Sequence, residues 1–174
     1  MREYFAEAVV LGLKPSGAQD RIVNLYTKDL GRLTARVVGG RKITSKLSPH
    51  LEQGNLVEAR LVEKSRFVLA DAVLKKRFGR SSAVFEALFL LNSLLPELVP
   101  DLRLWHGLLR GLEKGKPDKK IFLKLMGYNT LLAKCENCGR APVDYFRTAD
   151  QIFLCRSCFT SSPGGHRPAE TISL

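Results

Sequence analysis

Histidine is rare in this sequence, acidic residues are outnumbered, and no apolar run is long enough to cross a membrane. Each shortage excludes something. His50, His106 and His166 are scattered, with no metal-like or triad-like spacing among them. The 17 Asp and Glu residues are mostly single, which leaves no carboxylate cluster for two-metal nuclease chemistry. Gly39-Gly40 is not followed by Gly-Lys-Ser/Thr at the spacing of a phosphate loop. The longest apolar candidate, Ala87 to Leu95, is interrupted by Asn92 and Ser93, well short of a span of about 20 residues. Met1-Arg2-Glu3-Tyr4 contains no apolar signal-peptide core. The expectation is a cytoplasmic binding protein rather than an enzyme.

Cysteine is also sparse, and all four copies fall in one stretch. Cys135-Glu-Asn-Cys138 is followed, after 16 residues, by Cys155-Arg-Ser-Cys158. Two C-x₂-C pairs at such a separation are a zinc signature, because each pair offers two thiolates from one tight turn. Disulfides would need an oxidising compartment, which the N-terminal residues do not suggest. Iron is the alternative ion for the same four sulfurs. With four thiolates, no coordination position is open to water or substrate, so one structural Zn²⁺ is expected as a clamp.

What the chain has in excess is positive charge: 28 Lys and Arg give a net charge of +11. Residues 1–80 carry +8 of this, residues 81–134 carry +3, and residues 135–174 are neutral. An anionic partner is implied for the N-terminal region, and nucleic acid is the commonest one.

The first 78 residues read as β. Short apolar runs at Phe5 to Leu11, Arg21 to Thr27, Arg32 to Val38, Leu56 to Lys64 and Phe67 to Leu74 are separated by turns. Leu33, Ala35 and Val37 alternate with Arg32, Thr34 and Arg36, so one face enters a core and the other presents arginines. Five short strands with a longer excursion after the third suit a small closed barrel such as an OB-fold, one of several small β architectures. Leu47 to Gln53 reads as a helical turn or two. Ser81 or Ser82 can cap a helix carrying Val84, Leu88, Leu91 and Leu95 on one stripe. Asp101 can cap a second, with Leu102, Trp105, Leu109 and Leu112 on one face, and a third runs from Lys119 to Met126, closed by Gly127. The expected architecture is α+β and multidomain: a barrel over 1–78, a helical domain over 79–134, the zinc ribbon over 135–158 packed on it, and a loose polar tail over 159–174.

Candidate phosphate contacts follow from the charge. They are Arg32 and Arg36 on the third strand, Arg41, Lys42 and Lys46 in the excursion, Arg60 and Lys64 on the fourth strand, and Lys75, Lys76 and Arg77 after the fifth. Tyr4, Phe5, Tyr26, Phe67 and Phe78 are too few to form a stacking stripe. Contacts should therefore be mainly to phosphate, sequence-neutral and salt-sensitive. An RNA-binding or translation-associated ribbon protein, and a protein-interaction scaffold using the leucine faces, are the competing readings.

The order of these features resembles the RecO family of bacterial recombination mediators. The likeness runs through Glu7-Ala8-Val9-Val10-Leu11, Gln19-Asp20-Arg21-Ile22-Val23, Thr27-Lys28-Asp29-Leu30-Gly31-Arg32-Leu33 and Gly39-Gly40-Arg41-Lys42. It resumes at Phe122-Leu123-Lys124-Leu125-Met126-Gly127-Tyr128, continues through Cys135-Glu136-Asn137-Cys138-Gly139, and ends with Tyr145-Phe146 to Cys158. The resemblance implies an N-terminal OB-fold, a helical domain bearing the ribbon, and a non-catalytic role. That role is binding of single- and double-stranded DNA, strand annealing, and work with RecR and single-strand-binding protein to load RecA. A bacterial, nucleoid-associated location follows from the same likeness. Some members lack the cysteines, in keeping with a structural metal. Members usually continue past the ribbon with further helices where this sequence has a polar tail, so the resemblance supports DNA binding more directly than docking of single-strand-binding protein.

Overall fold

The computed structural model describes residues 1–161 and 170–174. Two compact units are present, Met1–Pro117 and Asp118–Leu174.

The first unit is built on a closed five-stranded barrel. Its strands are β1 (Arg2–Ser16), β2 (Asp20–Thr27), β3 (Gly31–Val37), β4 (Leu56–Glu63) and β5 (Phe67–Lys76), in the order β1-β2-β3-β5-β4. β3 and β5 run parallel and the other pairs antiparallel, which is the topology of an OB-fold. Closure depends on β1, which pairs with β4 over residues 2–9 and with β2 over residues 8–16. A bulge between Val10 and Gly12 bends it from one partner to the other. This is why β1 runs past Gly12, where the apolar run alone suggested an end.

Inward positions alternate as expected, with Val23, Leu25, Leu33, Val57, Leu61 and Leu69 in one core. Ala8, Ala35, Ala59 and Ala72 fill the narrow parts of the same core, since a five-stranded barrel leaves room for only some large side chains. Leu51 joins that core from the excursion between β3 and β4. The excursion itself is a series of turns closed by bonds such as His50 N–H to Leu47 O at 3.0 Å, with no longer helix over Leu47–Gln53.

Helices α1 (Ser82–Leu94) and α2 (Leu102–Glu113) belong to this unit rather than to a separate helical domain. The expected boundary at 78/79 is therefore not a domain boundary. The physical reason lies in the apolar stripes, which have the barrel to cover. Val84, Leu88, Leu91 and Leu95 are buried as the periodicity indicates. In α2 the buried face is Leu104, Trp105, Leu108 and Leu112, while Leu102 is exposed. Ser81 caps α1 by accepting from the Val84 N–H, and Asp101 caps α2 by accepting from Arg103 and Leu104.

The second unit contains α3 (Lys119–Leu125), β6 (Tyr145–Arg147), β7 (Ile152–Leu154), α4 (Arg156–Ser161) and β8 (Thr171–Ser173). Its sheet has the order β7-β6-β8. The expected loose tail over 159–174 is corrected at both ends of that range. Residues 159–161 continue α4, and β8 pairs with β6, placing Ile172 in the interior at 2 % exposure. Residues 162–169 lie outside the described residues. No helix among the described residues is long and apolar enough to cross a membrane.

Candidate nucleic-acid interface and metal centre

The outer face of β2 and β3 carries three rungs: Ile22 opposite Arg36, Asn24 opposite Thr34, and Tyr26 opposite Arg32. One end of this face is covered. Tyr26 is 1 % exposed, packs on Trp105 at 5.9 Å between rings, and donates from its hydroxyl to the Asp101 carbonyl at 3.0 Å. Burial pushes its phenol up to about 12. Arg32 Nε donates to the Leu95 carbonyl at 2.6 Å, and its Nη1 sits 3.5 Å from the Glu97 carboxylate. This sequence-predicted contact is thus occupied in joining β3 to the end of α1.

The other end of the face is open. A groove of about 530 Å³ is lined there by Ile22, Thr34, Arg36, Lys64, Arg66 and Phe67, among others. It lies between the β1–β2 turn, which contributes Ser16, and the β4–β5 turn, which contributes Lys64, Ser65 and Arg66. OB-folds take oligonucleotides on this strand face, between these two loops. Lys64 and Arg66 are exposed and have no carboxylate partner among the described residues. Arg36 bonds Asp20 through Nε at 2.8 Å and Nη2 at 2.5 Å, yet keeps 60 % of its side chain exposed.

Asp20 is the organising acid at the β1–β2 end. It accepts the Gly39 N–H at 2.8 Å. That bond, then the Arg36 guanidinium, holds its carboxyl below the usual carboxylate range. The loop after β3 folds back onto this turn: Arg41 N–H donates to Gln19 O at 2.8 Å, and its guanidinium donates to Gly17 O at 2.9 Å. Lys42 adds its charge around Asp20. Arg41 and Lys42 are both exposed there, and Lys46 is exposed further along the excursion.

The remaining predicted cations sit elsewhere, most of them beside acids. Arg60 pairs with Glu3 at 2.9 Å, Lys75 with Glu58 at 2.7 Å and Lys76 with Glu113 at 2.9 Å. Lys76 also lies over the Phe78 ring at 5.2 Å. Arg77 is exposed beyond the end of β5. Arg60, Lys75 and Lys76 on β4 and β5 are thus answered by acids, whereas at the groove Arg36 has Asp20 and Lys64 and Arg66 have no carboxylate partner among the described residues. Arg66 is a groove residue outside the set of candidate phosphate contacts named from the sequence. Its signal was its place in the β4–β5 turn of a five-stranded barrel. Among the described residues, Phe67 is the one aromatic that lines the groove, edge-on to Tyr4 at 6.0 Å.

In the second unit the four cysteine sulfurs lie within 4.8 Å of one another. All four are free of disulfides. Two tight turns place them: Gly139 N–H donates to Cys135 O at 2.8 Å, and Phe159 N–H to Cys155 O at 3.0 Å. Gly139 takes φ +69 in the first, a conformation glycine adopts without steric cost. β7 delivers Cys155, and Asp144 fixes the following turn by accepting the Arg156 N–H at 2.9 Å. Tyr145 and Phe159 stack at 4.1 Å beside the cluster.

The donor set fits a tetrahedral ion. Metal–sulfur bonds of about 2.3 Å imply sulfur–sulfur edges of about 3.8 Å, and Cys138 and Cys155 are 3.7 Å apart. Arg140 donates to Cys138 Sγ at 3.4 Å and favours its thiolate, while Ser157 does the same for Cys155. Hydrogen bonds to Cys138 and Cys155 hold the Cys158 thiol up. Four thiolates at these distances repel one another, and a bound cation removes that cost. Cys135 and Cys155 are buried and Cys138 is exposed, so the site sits at the surface of a small core with Leu154, Tyr145 and Ile152.

Comparison with known proteins adds independent findings. The family model for the N-terminal part of recombination protein O matches residues 1–86. The DNA repair protein RecO of Chlorobium phaeobacteroides is 28 % identical over 181 residues, covering 91 % of this chain and 67 % of that protein. That of Dehalococcoides mccartyi is 26 % identical over 193 residues, covering 99 % of this chain and 76 % of its own. The Cutibacterium acnes protein is 28 % identical over 200 residues, covering 99 % and 80 %.

Proposed function

We propose that this chain, which matches the family model for the N-terminal part of recombination protein O over residues 1–86 and is similar to RecO proteins over most of its length, is a non-catalytic DNA-binding protein of recombinational repair. It holds single strands by their phosphates across the open end of the β2–β3 face and brings complementary strands together. The observation that carries this reading is the groove whose rim holds Lys64 and Arg66 without carboxylate partners among the described residues, with Arg36 across from them. A face poor in aromatics and rich in exposed cations suits backbone contacts that do not depend on sequence. Annealing follows from the same chemistry, since cations that neutralise two strands at once lower the repulsion between them.

The four-cysteine cluster takes one zinc ion, held by Cys135, Cys138, Cys155 and Cys158, which supplies folding energy to the second unit and no chemistry. The partners of the reading are single- and double-stranded DNA, RecR, and single-strand-binding protein, with RecA loaded as the outcome, in the bacterial cytoplasm at the nucleoid. Fluorescence anisotropy with labelled single-stranded DNA across a salt series tests the binding. Affinity should fall steeply as salt rises. Binding that is absent at low salt, or indifferent to salt, sinks the reading. A strand-annealing assay on bare and protein-coated strands tests the mediator role separately.

A further inference from the structure

The segment Pro96–Pro100, between α1 and α2, forms a strap along the start of β3. Leu98 N–H donates to Arg32 O at 2.8 Å, and Gly31 lies directly under Val99, where an added Cβ would come within 2.4 Å of its backbone. Leu98 takes φ +58 although it is not glycine, a strained conformation that persists only where the surroundings fix it. The strap holds one acidic side chain over the face. Glu97 Oε1 is 3.0 Å from the Thr34 hydroxyl and 3.5 Å from Arg32 Nη1. It also lines a shallow recess of about 400 Å³ that shares Thr34, Ser65, Arg66 and Phe67 with the main groove.

We propose that Glu97 is an acidic stop that ends the nucleic-acid path on the barrel face. Its carboxylate sits against the Thr34 hydroxyl, which also reaches Asn24 Oδ1 at 3.1 Å, and beside Arg32 Nη1; these are the donors the next phosphate along the groove would use, and the carboxylate repels that phosphate. Beyond it the face is closed by Tyr26 and α2. The path is therefore short, running from the β1–β2 turn to Thr34, and Glu97 sets its length and the number of phosphates neutralised. This rests on the assignment of the groove to nucleic acid.

The test titrates oligothymidylates of increasing length into the full chain and its variants, at several salt concentrations. Glu97→Ala should bind several-fold tighter, and the length at which affinity stops rising should increase. The slope of log affinity against log salt should steepen by about 0.7, as for one more phosphate on a single strand. Glu97→Gln, which keeps the side-chain volume, should move the slope the same way and guards against misfolding of the alanine variant. Adding Thr34→Val should reduce the gain. Glu58→Gln makes the same charge change on the far side of the barrel and should leave path length and slope unchanged. Equal gains from Glu58→Gln and Glu97→Gln would mean net charge alone is at work and overturn the proposal. So would unchanged length dependence in both Glu97 variants, even while Lys64→Ala and Arg66→Ala still weaken binding. Loss of effect in Lys64→Ala and Arg66→Ala as well would instead remove the groove assignment itself.

Discussion

Gly31 is the closest approach between the barrel and the strap, and it is there for two reasons at once. Its φ of +74 is unfavourable for any residue with a Cβ, and that Cβ would meet Val99 backbone atoms at 2.4 Å. Backbone cannot step aside as a flexible side chain can. Gly31→Ala should therefore destabilise the first unit by at least about 1–3 kcal/mol, read as a lower urea midpoint with unchanged slope. Asp20 gives a second residue-scale prediction with a pH sign. Its carboxyl is held below the usual range by Gly39 and Arg36, so what it contributes is fully present above the unfolded value near 3.9. The contribution is lost as pH falls through the lower folded value. Amide exchange at Gly39, corrected for the intrinsic pH dependence, should stay slow from neutral pH to about 4 and lose protection below it. In Asp20→Asn the same amide should be less protected already at neutral pH, because a neutral acceptor replaces a charged one.

At the scale of elements, α2 shows what the sequence could and could not specify. Its cap was legible, because an aspartate directly before an apolar period has few other local uses. Asp101→Ala should cost about 0.5–2 kcal/mol, and Trp105→Ala about 3–5 kcal/mol, both measured by urea denaturation. The buried face was less legible. Leu102, Leu104, Trp105, Leu108, Leu109 and Leu112 form two adjoining apolar strips, and periodicity alone cannot choose between them. Tyr26 on β2 makes the choice by packing at a tilt against Trp105, and Leu102 is left outside. The barrel strands were legible because their apolar runs are short and separated by turns, with clean alternation in β3, whereas β8 was not. Thr171-Ile172-Ser173 has one apolar residue and becomes a strand through pairing with β6, a non-local partner that no local pattern announces. The cysteines were legible because their spacing is itself the geometry of the site. The groove was half legible: Arg36 and Lys64 came from charge and alternation, but Arg66 required knowing which turn flanks which face. Arg32 carried the same local signal as Arg36 and is taken up by Leu95 and Glu97.

The two units differ in character, and on the proposed reading two measurements should separate their roles. If the four cysteines hold zinc as proposed, chelation, or Cys155→Ser, should unfold the second unit, whose buried set is small and includes two of those cysteines. Circular dichroism should then show partial loss, while the DNA affinity proposed for the first unit should be largely kept. If chelation abolished binding with the fold intact, the ribbon would be a contact surface instead. The distribution of charge on the barrel makes the sharper prediction. Arg60 and Lys75 have acids within 3 Å, so replacing both with Ala removes charges that are already answered. Lys64 and Arg66 have no such partners among the described residues, and Arg36 shares its acid with Gly39 while staying exposed. Each phosphate released from a single strand changes the salt slope by about 0.7. Replacing Arg36, Lys64 and Arg66 together should therefore flatten the slope by up to about 2, with Arg36 contributing least because Asp20 competes for it. Replacing Arg60 and Lys75 should change it little, although formal charge falls on both sides of the barrel. Equal flattening by the two sets would mean that the chain attracts nucleic acid only through its net charge, and that the groove has no special standing.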